Sequence, residues 1–195
     1  MPIVFNGSLD KNKCEVQGDV AGNAVVNFAS ENCELFIGPD CRLDGFEINF
    51  QRPNQKVFIS GQNALRGQIH LTAPNTKVTI GARTRTNSYI WMNLAERDTQ
   101  VAIGADCLLA SVRFRTSDSH KIIDIATNER LNPPGDIIVE DGVWIAEDVL
   151  MLKGATVGRG SIIGARSTVT STVPAQCLAV GSPARVLRTG VKWVE

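Results

Sequence analysis

From Val139 to Val169 a large apolar side chain recurs at every sixth residue: Val139, Ile145, Met151, Val157, Ile163 and Val169. Four residues after each come Val143, Val149, Ala155, Ser161, Ser167 and Val173, mostly small or β-branched, and Gly158 and Gly164 directly follow their apolar residues. A helix would repeat about every 3.6 residues and an ordinary strand would alternate, so this period belongs to neither. It fits a parallel β-helix of triangular section. Each side is a short strand, each corner a turn, and three sides close a coil of about 18 residues. The large residue points inward and stacks on its counterpart in the next coil, about 4.8 Å away. The small residue takes the tight corner, where bulk would clash.

The N-terminal half keeps this logic with interruptions. Leu35-Phe36-Ile37-Gly38, Val57-Phe58-Ile59-Ser60, Val78-Thr79-Ile80-Gly81 and Val101-Ala102-Ile103-Gly104 repeat one pattern, with Ile37, Ile59, Ile80 and Ile103 spaced by 22, 21 and 23 residues. The excess over one coil predicts small loops, and Gln51-Arg52-Pro53-Asn54 and Ala73-Pro74-Asn75 carry the matching turn chemistry. Cys41 and Cys107 each stand four residues after a repeat isoleucine, which predicts corner packing. The step from Ile103 to Val139 is 36 residues. It predicts one large excursion at 117–136, and a long loop on a rigid scaffold commonly carries function. The reading is thus a β-helix over 1–182 with that insertion, closed by a short piece, 183–195, that forms a cap or a small helix over the last coil's open edge.

Composition narrows the function. Lys+Arg and Asp+Glu are both 20, for a formal net charge of zero, so no long-range field draws the chain to nucleic acid or to a membrane surface. No apolar run approaches the roughly 18 residues of a membrane span. The start, Met-Pro-Ile-Val-Phe-Asn-Gly, has neither the basic nor the apolar region of a signal peptide. The five cysteines are odd in number and form no C-x-x-C pair, so neither a disulfide framework nor a zinc site is indicated. Reduced thiols in a cytoplasmic protein are the simplest reading.

Three features together resemble the hexapeptide-repeat acyltransferases. They are the repeat itself; Val143-Trp144-Ile145 followed by Lys153-Gly154-Ala155-Thr156-Val157-Gly158 and Ile163-Gly164-Ala165-Arg166-Ser167; and the closing Val180-Gly181-Ser182-Pro183-Ala184-Arg185-Val186. Ser117-Asp118-Ser119-His120 looks like the branch that acetylates bacterial surface polysaccharides, although Lys121 and Ala146 stand where that branch often has Pro and Gly. The resemblance implies an all-β, left-handed parallel β-helix that assembles as a homotrimer with sites between subunits. It implies acetyl-CoA as cosubstrate, no metal, and a sugar or surface polysaccharide as acceptor. It implies His120 as the catalytic base. Trp144 would line the CoA channel, Ala146 and Ala165 would offer backbone groups to the pantetheine arm, and Thr170, Arg185 and Arg188 would lie near the adenine and phosphate end. Glu147 replaces a Ser found in some sugar acetyltransferases, which removes a side-chain oxyanion contact there.

The chemistry needs one base within hydrogen-bond reach of a hydroxyl, because a thioester is already activated. The chain has only two histidines, His70 and His120. His70, between Ile69 and Leu71, should point outward from a strand and has no evident catalytic role. Neutral His120 would take the hydroxyl proton as oxygen attacks the thioester carbonyl. Backbone N–H groups, Ala146 among them, would stabilise the oxyanion. Asp118 and Asp124 are read as solvated loop acids, with orientation of the imidazole as the alternative. Trp144 could instead cover core at a subunit contact, and Lys153 and Arg166 are surface cations unless they meet a phosphate. Asn93, Arg113, Arg115 and Lys121 are the candidates to touch the acceptor. The rival readings are an amino-sugar N-acetyltransferase, a γ-class carbonic anhydrase, which needs three histidine ligands, and a non-catalytic scaffold or ice-binding face, suggested only by Thr168, Thr170 and Thr172.

Overall fold

The six-residue columns of the sequence are columns in space. In the computed structural model, which describes residues 3–194, Val16, Ile37, Ile59, Ile80, Ile103, Val139, Val157 and Val173 stand in register on successive strands of one 8-stranded parallel sheet. This sheet is the first face of a triangular prism. Leu109, Ile145, Ile163 and Ala179 form the inward column of the second face. Val26, Ile48, Ile69, Met92, Phe114, Met151 and Val169 form that of the third. The protein is therefore a left-handed parallel β-helix of about eight coils. Among the described residues the only helix is the single 3-10 turn Leu9–Lys11, and no helix is long and apolar enough to cross a membrane.

Stacking at the corners follows from the same repeat. Asn32, Asn54, Asn75 and Asp98 all adopt positive φ, which Asn and Asp tolerate better than other non-glycine residues. Their side chains bond from coil to coil, Asn54 Nδ2 to Asn75 Oδ1 at 3.0 Å and Asn75 Nδ2 to Asp98 Oδ1 at 2.8 Å. Cys41 and Cys107 fill inner corners, as their spacing predicts, and donate to carbonyls of their own and the next coil. Burial pushes the Cys107 thiol up to about 11. Cys14 is exposed and the other four cysteines are buried. A thiol reagent at mildly alkaline pH should therefore modify one cysteine rapidly, Cys14, and the remaining four only after unfolding. Fast modification of several thiols in the folded chain would contradict this corner packing.

The structure differs from the sequence reading in two places. In the early coils the second and third faces merge into long strands, Val20–Phe28, Cys41–Phe50 and Ala64–Leu71. The corner there is a bulge instead of a turn, with register shifts at Asn23/Ala24 and Leu43/Phe46. Gly67 makes the crossing possible: its φ is +146°, and a Cβ would sit 2.1 Å from the Ile90 carbonyl oxygen of the next coil. The last coil also drops two residues, because Val173 pairs with Val157 instead of taking a small-residue corner. The closing piece takes the cap form, the first of the two that the sequence leaves open. Ala184–Thr189 is a strand that lies antiparallel on Cys177–Gly181 and covers the end of the second face.

Candidate active site

The large excursion leaves the third face after Val112–Arg115 and returns to the first at Ile137–Val139. It therefore emerges at the corner opposite the second face. It folds on itself, with Ile123 bridged antiparallel to Arg130 and the Leu131 N–H donating to Ile122 O. The hub is the buried Asn132. Its Oδ1 accepts the Ile122 N–H at 2.6 Å, and its Nδ2 donates to Asp118 Oδ2 and to His120 O, both at 2.8 Å. Two ion pairs tie the excursion to neighbouring coils of the same edge. Arg130 donates from both Nη atoms to Glu96, each at 2.6 Å, and Lys153 Nζ lies 2.6 Å from Asp118 Oδ2.

These ion pairs set a pH dependence. The Arg130 hydrogen bonds hold the Glu96 carboxyl below its ordinary value, and those from Lys153 and Asn132 do the same to Asp118. A depressed carboxylate contributes stability above its unfolded pKa, and that contribution is lost as pH falls through the folded value. Acidification below about pH 4 should loosen 117–136, seen as faster proteolysis or amide exchange there, and Glu96→Gln should produce the same loosening at neutral pH. A loop equally protected in both tests would mean that these pairs do not hold it.

His120 sits on this pinned loop and is exposed. Its backbone is fixed through Asn132, and among the described residues nothing hydrogen-bonds its imidazole. Asp118 spends its Oδ2 on Lys153 and Asn132, while Asp124 Oδ1 accepts the Ala126 and Thr127 N–H groups. Both loop acids thus have partners other than the imidazole, and Lys153 is engaged by Asp118 of the same chain. Arg115 Nη2 approaches Ser119 Oγ at 3.5 Å, and Lys121 is exposed beside it on the loop.

The other candidate residues cluster elsewhere. Trp144 lies half-buried on the second face, in register with Leu108 and Ile162. Ala146 and the exposed Ala165 occupy the corner that follows that face, beside Glu147 and Arg166. Arg185 and Arg188 are exposed on the closing strand that pairs along the same face. Thr170 is separate, on the edge from which the loop emerges. Within one chain, then, the imidazole and Trp144 lie on opposite sides of the triangular section.

One detail corrects the sequence reading and another adds to it. The Ala146 N–H donates to Ile163 O at 2.9 Å as part of the coil ladder, so it is not available for an oxyanion. Trp144 packs against Trp193, with ring centroids 6.3 Å apart and planes at 50°, and Trp193 Nε1 donates to Gly142 O at 2.6 Å. The sequence reading passed over Trp193. Its sequence signal was an indole set between Lys192 and Val194. His70 points outward on the third face, as its neighbours predict. Among the described residues no group of three or more His, Cys, Asp or Glu side chains is placed to hold a metal.

Comparison with known proteins finds polysialic acid O-acetyltransferases among the relatives of this chain. The chain is 36% identical over 140 residues to the polysialic acid O-acetyltransferase of Escherichia coli O1:K1 / APEC, covering 71% of this chain and 45% of that protein. It is 29% identical over 124 residues to the polysialic acid O-acetyltransferase of Neisseria meningitidis, covering 63% of this chain and 57% of that one. The chain thus spans about half the length of these curated relatives. Its fold matches the crystal structure of the polySia specific acetyltransferase NeuO with a TM-score of 0.86 and 30% identity, over 99% of this chain and 82% of that chain. No protein-family model matches.

Proposed function

The chain belongs to the hexapeptide-repeat acyltransferases, most like their polysialic acid O-acetyltransferase branch, and on that premise we propose that it transfers an acetyl group from acetyl-CoA to a hydroxyl of a sugar or surface polysaccharide. The observation that carries this reading is a lone exposed imidazole, His120, on a long loop whose backbone is pinned to two neighbouring coils. A general base must be held in place yet keep its nitrogens open to substrate. His120 meets both requirements.

In the proposed step His120 takes the proton from the acceptor hydroxyl. The oxygen bonds to the thioester carbonyl carbon, the C–S bond breaks, and the proton passes to the departing thiolate. The second face and its following corner supply the cosubstrate wall: Trp144 with its Trp193 partner, the exposed turn at Ala165, and the cations Arg185 and Arg188. Thr170 serves the same ligand from the loop's own edge.

Because base and wall lie on opposite sides of one protomer, the complete site forms between copies, and a closed ring of three gives three equivalent sites. Exposed apolar residues on the loop, Ile122, Ile125 and Leu131 among them, suit burial against a second copy. A cytoplasmic location fits a chain whose five cysteines are all free thiols. The test is incubation with acetyl-CoA and a panel of sugars, nucleotide sugars and polysaccharides, with product masses read before and after alkali. Acetyl groups lost in alkali are esters and support the reading. Alkali-stable acetyl groups are amides and would replace it with N-transfer.

A further inference from the structure

The outward side of the third face carries a ladder that the proposed step does not use. Asn6, Asn27, Asn49, His70, Asn93 and Arg115 occupy one register position on successive coils. Beside them, one step along the strands, stand Glu47, Gln68, Trp91 and Arg113. Asn6 Nδ2 donates to Asn27 Oδ1 at 2.7 Å, and Asn27 Nδ2 to Asn49 Oδ1 at 2.8 Å. Glu47 accepts from Asn49 at 3.0 Å and from Gln68 at 2.8 Å. The His70 ring lies between Asn49 Nδ2 at 3.4 Å and Gln68 Oε1 at 3.1 Å, with Trp91 tilted against it at 5.9 Å.

We infer that this strip is a binding track for an acidic sugar chain and that it leads the chain to His120; the inference rests on the acetyl-transfer reading and names where its acceptor lies. Each amide offers two donors and two acceptor lone pairs, and the ladder bonds use only part of that capacity, leaving a row of groups for hydroxyls and acetamides. The side chains are already fixed by one another, so binding orders few new rotamers. Trp91 adds a flat apolar surface against which the C–H face of a sugar ring can pack, as amphipathic aromatics do at wet interfaces. Arg113 and Arg115 place two guanidinium groups at the loop end, suited to carboxylates, and Arg115 reaches Ser119, the neighbour of His120. Glu47, the acid of the strip, has its oxygens occupied by the amides around it. From Asn6 to Arg115 the ladder climbs five coil steps, about 24 Å, which is long enough for several linked sugars.

The strip is a poor surface for a second copy of the chain. Its middle is polar, while exposed apolar side chains such as Ile125, Leu131 and Leu187 lie on the loop and the closing strand.

The test compares acceptors of two lengths, a sialic acid trisaccharide and long polysialic acid, for the intact chain and for Trp91→Ala and Asn49→Ala. Binding is measured on the His120→Ala background and turnover on the native one. The long polymer should bind at least about tenfold more tightly than the trisaccharide. Each strip variant should weaken the polymer about tenfold more than the trisaccharide, chiefly through KM. Loss of that length preference in the variants, with an unchanged sedimentation coefficient, supports the track. Three results would overturn it: a preference that survives both variants, no preference in the intact chain, or dissociation of the assembly by Trp91→Ala, which would mark the strip as a contact between copies. Trisaccharide turnover without length preference sinks the track alone. Length-dependent binding without any acetyl transfer sinks the reaction alone.

Discussion

On the proposed reading, His120→Ala is expected to lower kcat for acetyl transfer by about a thousandfold, within the range general acid–base groups supply, and to leave the fold unchanged. The side chain is exposed, and what the structure draws from this residue is its carbonyl, which accepts from Asn132. Alanine keeps that carbonyl. Thermal unfolding and sedimentation should therefore match the parent protein, and the KM for acetyl-CoA should stay within about twofold, because only uniform binding would alter it. A variant that retains more than about a tenth of the parent kcat would show that another group takes the proton. Asn132→Ala separates positioning from chemistry. It keeps the imidazole but removes the bonds that fix the Ile122 N–H, Asp118 and the His120 carbonyl. It should lower kcat less than His120→Ala does and should raise proteolysis of 117–136, which His120→Ala should not.

The prism was legible because one rule, a large side chain every sixth residue, sets both the local strand and its partner in the next coil. The same rule located the corner cysteines Cys41 and Cys107, and the outward aim of His70 followed from its apolar strand neighbours. It failed where backbone freedom replaces side-chain pattern. Gly67 lets a strand run through a corner, and a period of six does not encode that. Val173 satisfies both the six-residue count and the shortened last coil, and only the register with Val157 decides between them. The loop was legible by its length, but its hub was not. Asn132 stands between Leu131 and Pro133 with nothing in the sequence to separate a buried organiser from a surface amide. The candidate site was the least legible part. The family resemblance pointed to His120 and Trp144 together, yet topology sets them on opposite sides of one chain. Whether an amide such as that of Ala146 is already spent depends on the coil above it.

Phe114→Ala should be the most damaging core change, costing roughly 3–5 kcal/mol of stability, the usual range for emptying a buried phenylalanine site. Phe114 is fully buried in the third-face column, in register with Met92 below and Met151 above. Coils of a solenoid touch only their neighbours, so a void here weakens the coupling between the two halves of the column instead of being shared across a wide core. On the proposed reading the position also bears on function. Arg113 and Arg115 flank it on the outward side, and the loop begins immediately after that strand. Collapse of the wall toward the void would draw Arg115 away from Ser119 and shift the root of the His120 loop. Phe114→Leu keeps most of the volume and should cost less than about 1.5 kcal/mol, with kcat near the parent value. Equilibrium denaturation gives the two stability losses, and turnover of the leucine variant shows whether the loop root has moved. A loss below about 1 kcal/mol for Phe114→Ala would place this ring outside the stacked column, because no well-packed interior closes over so large a deletion at so small a cost.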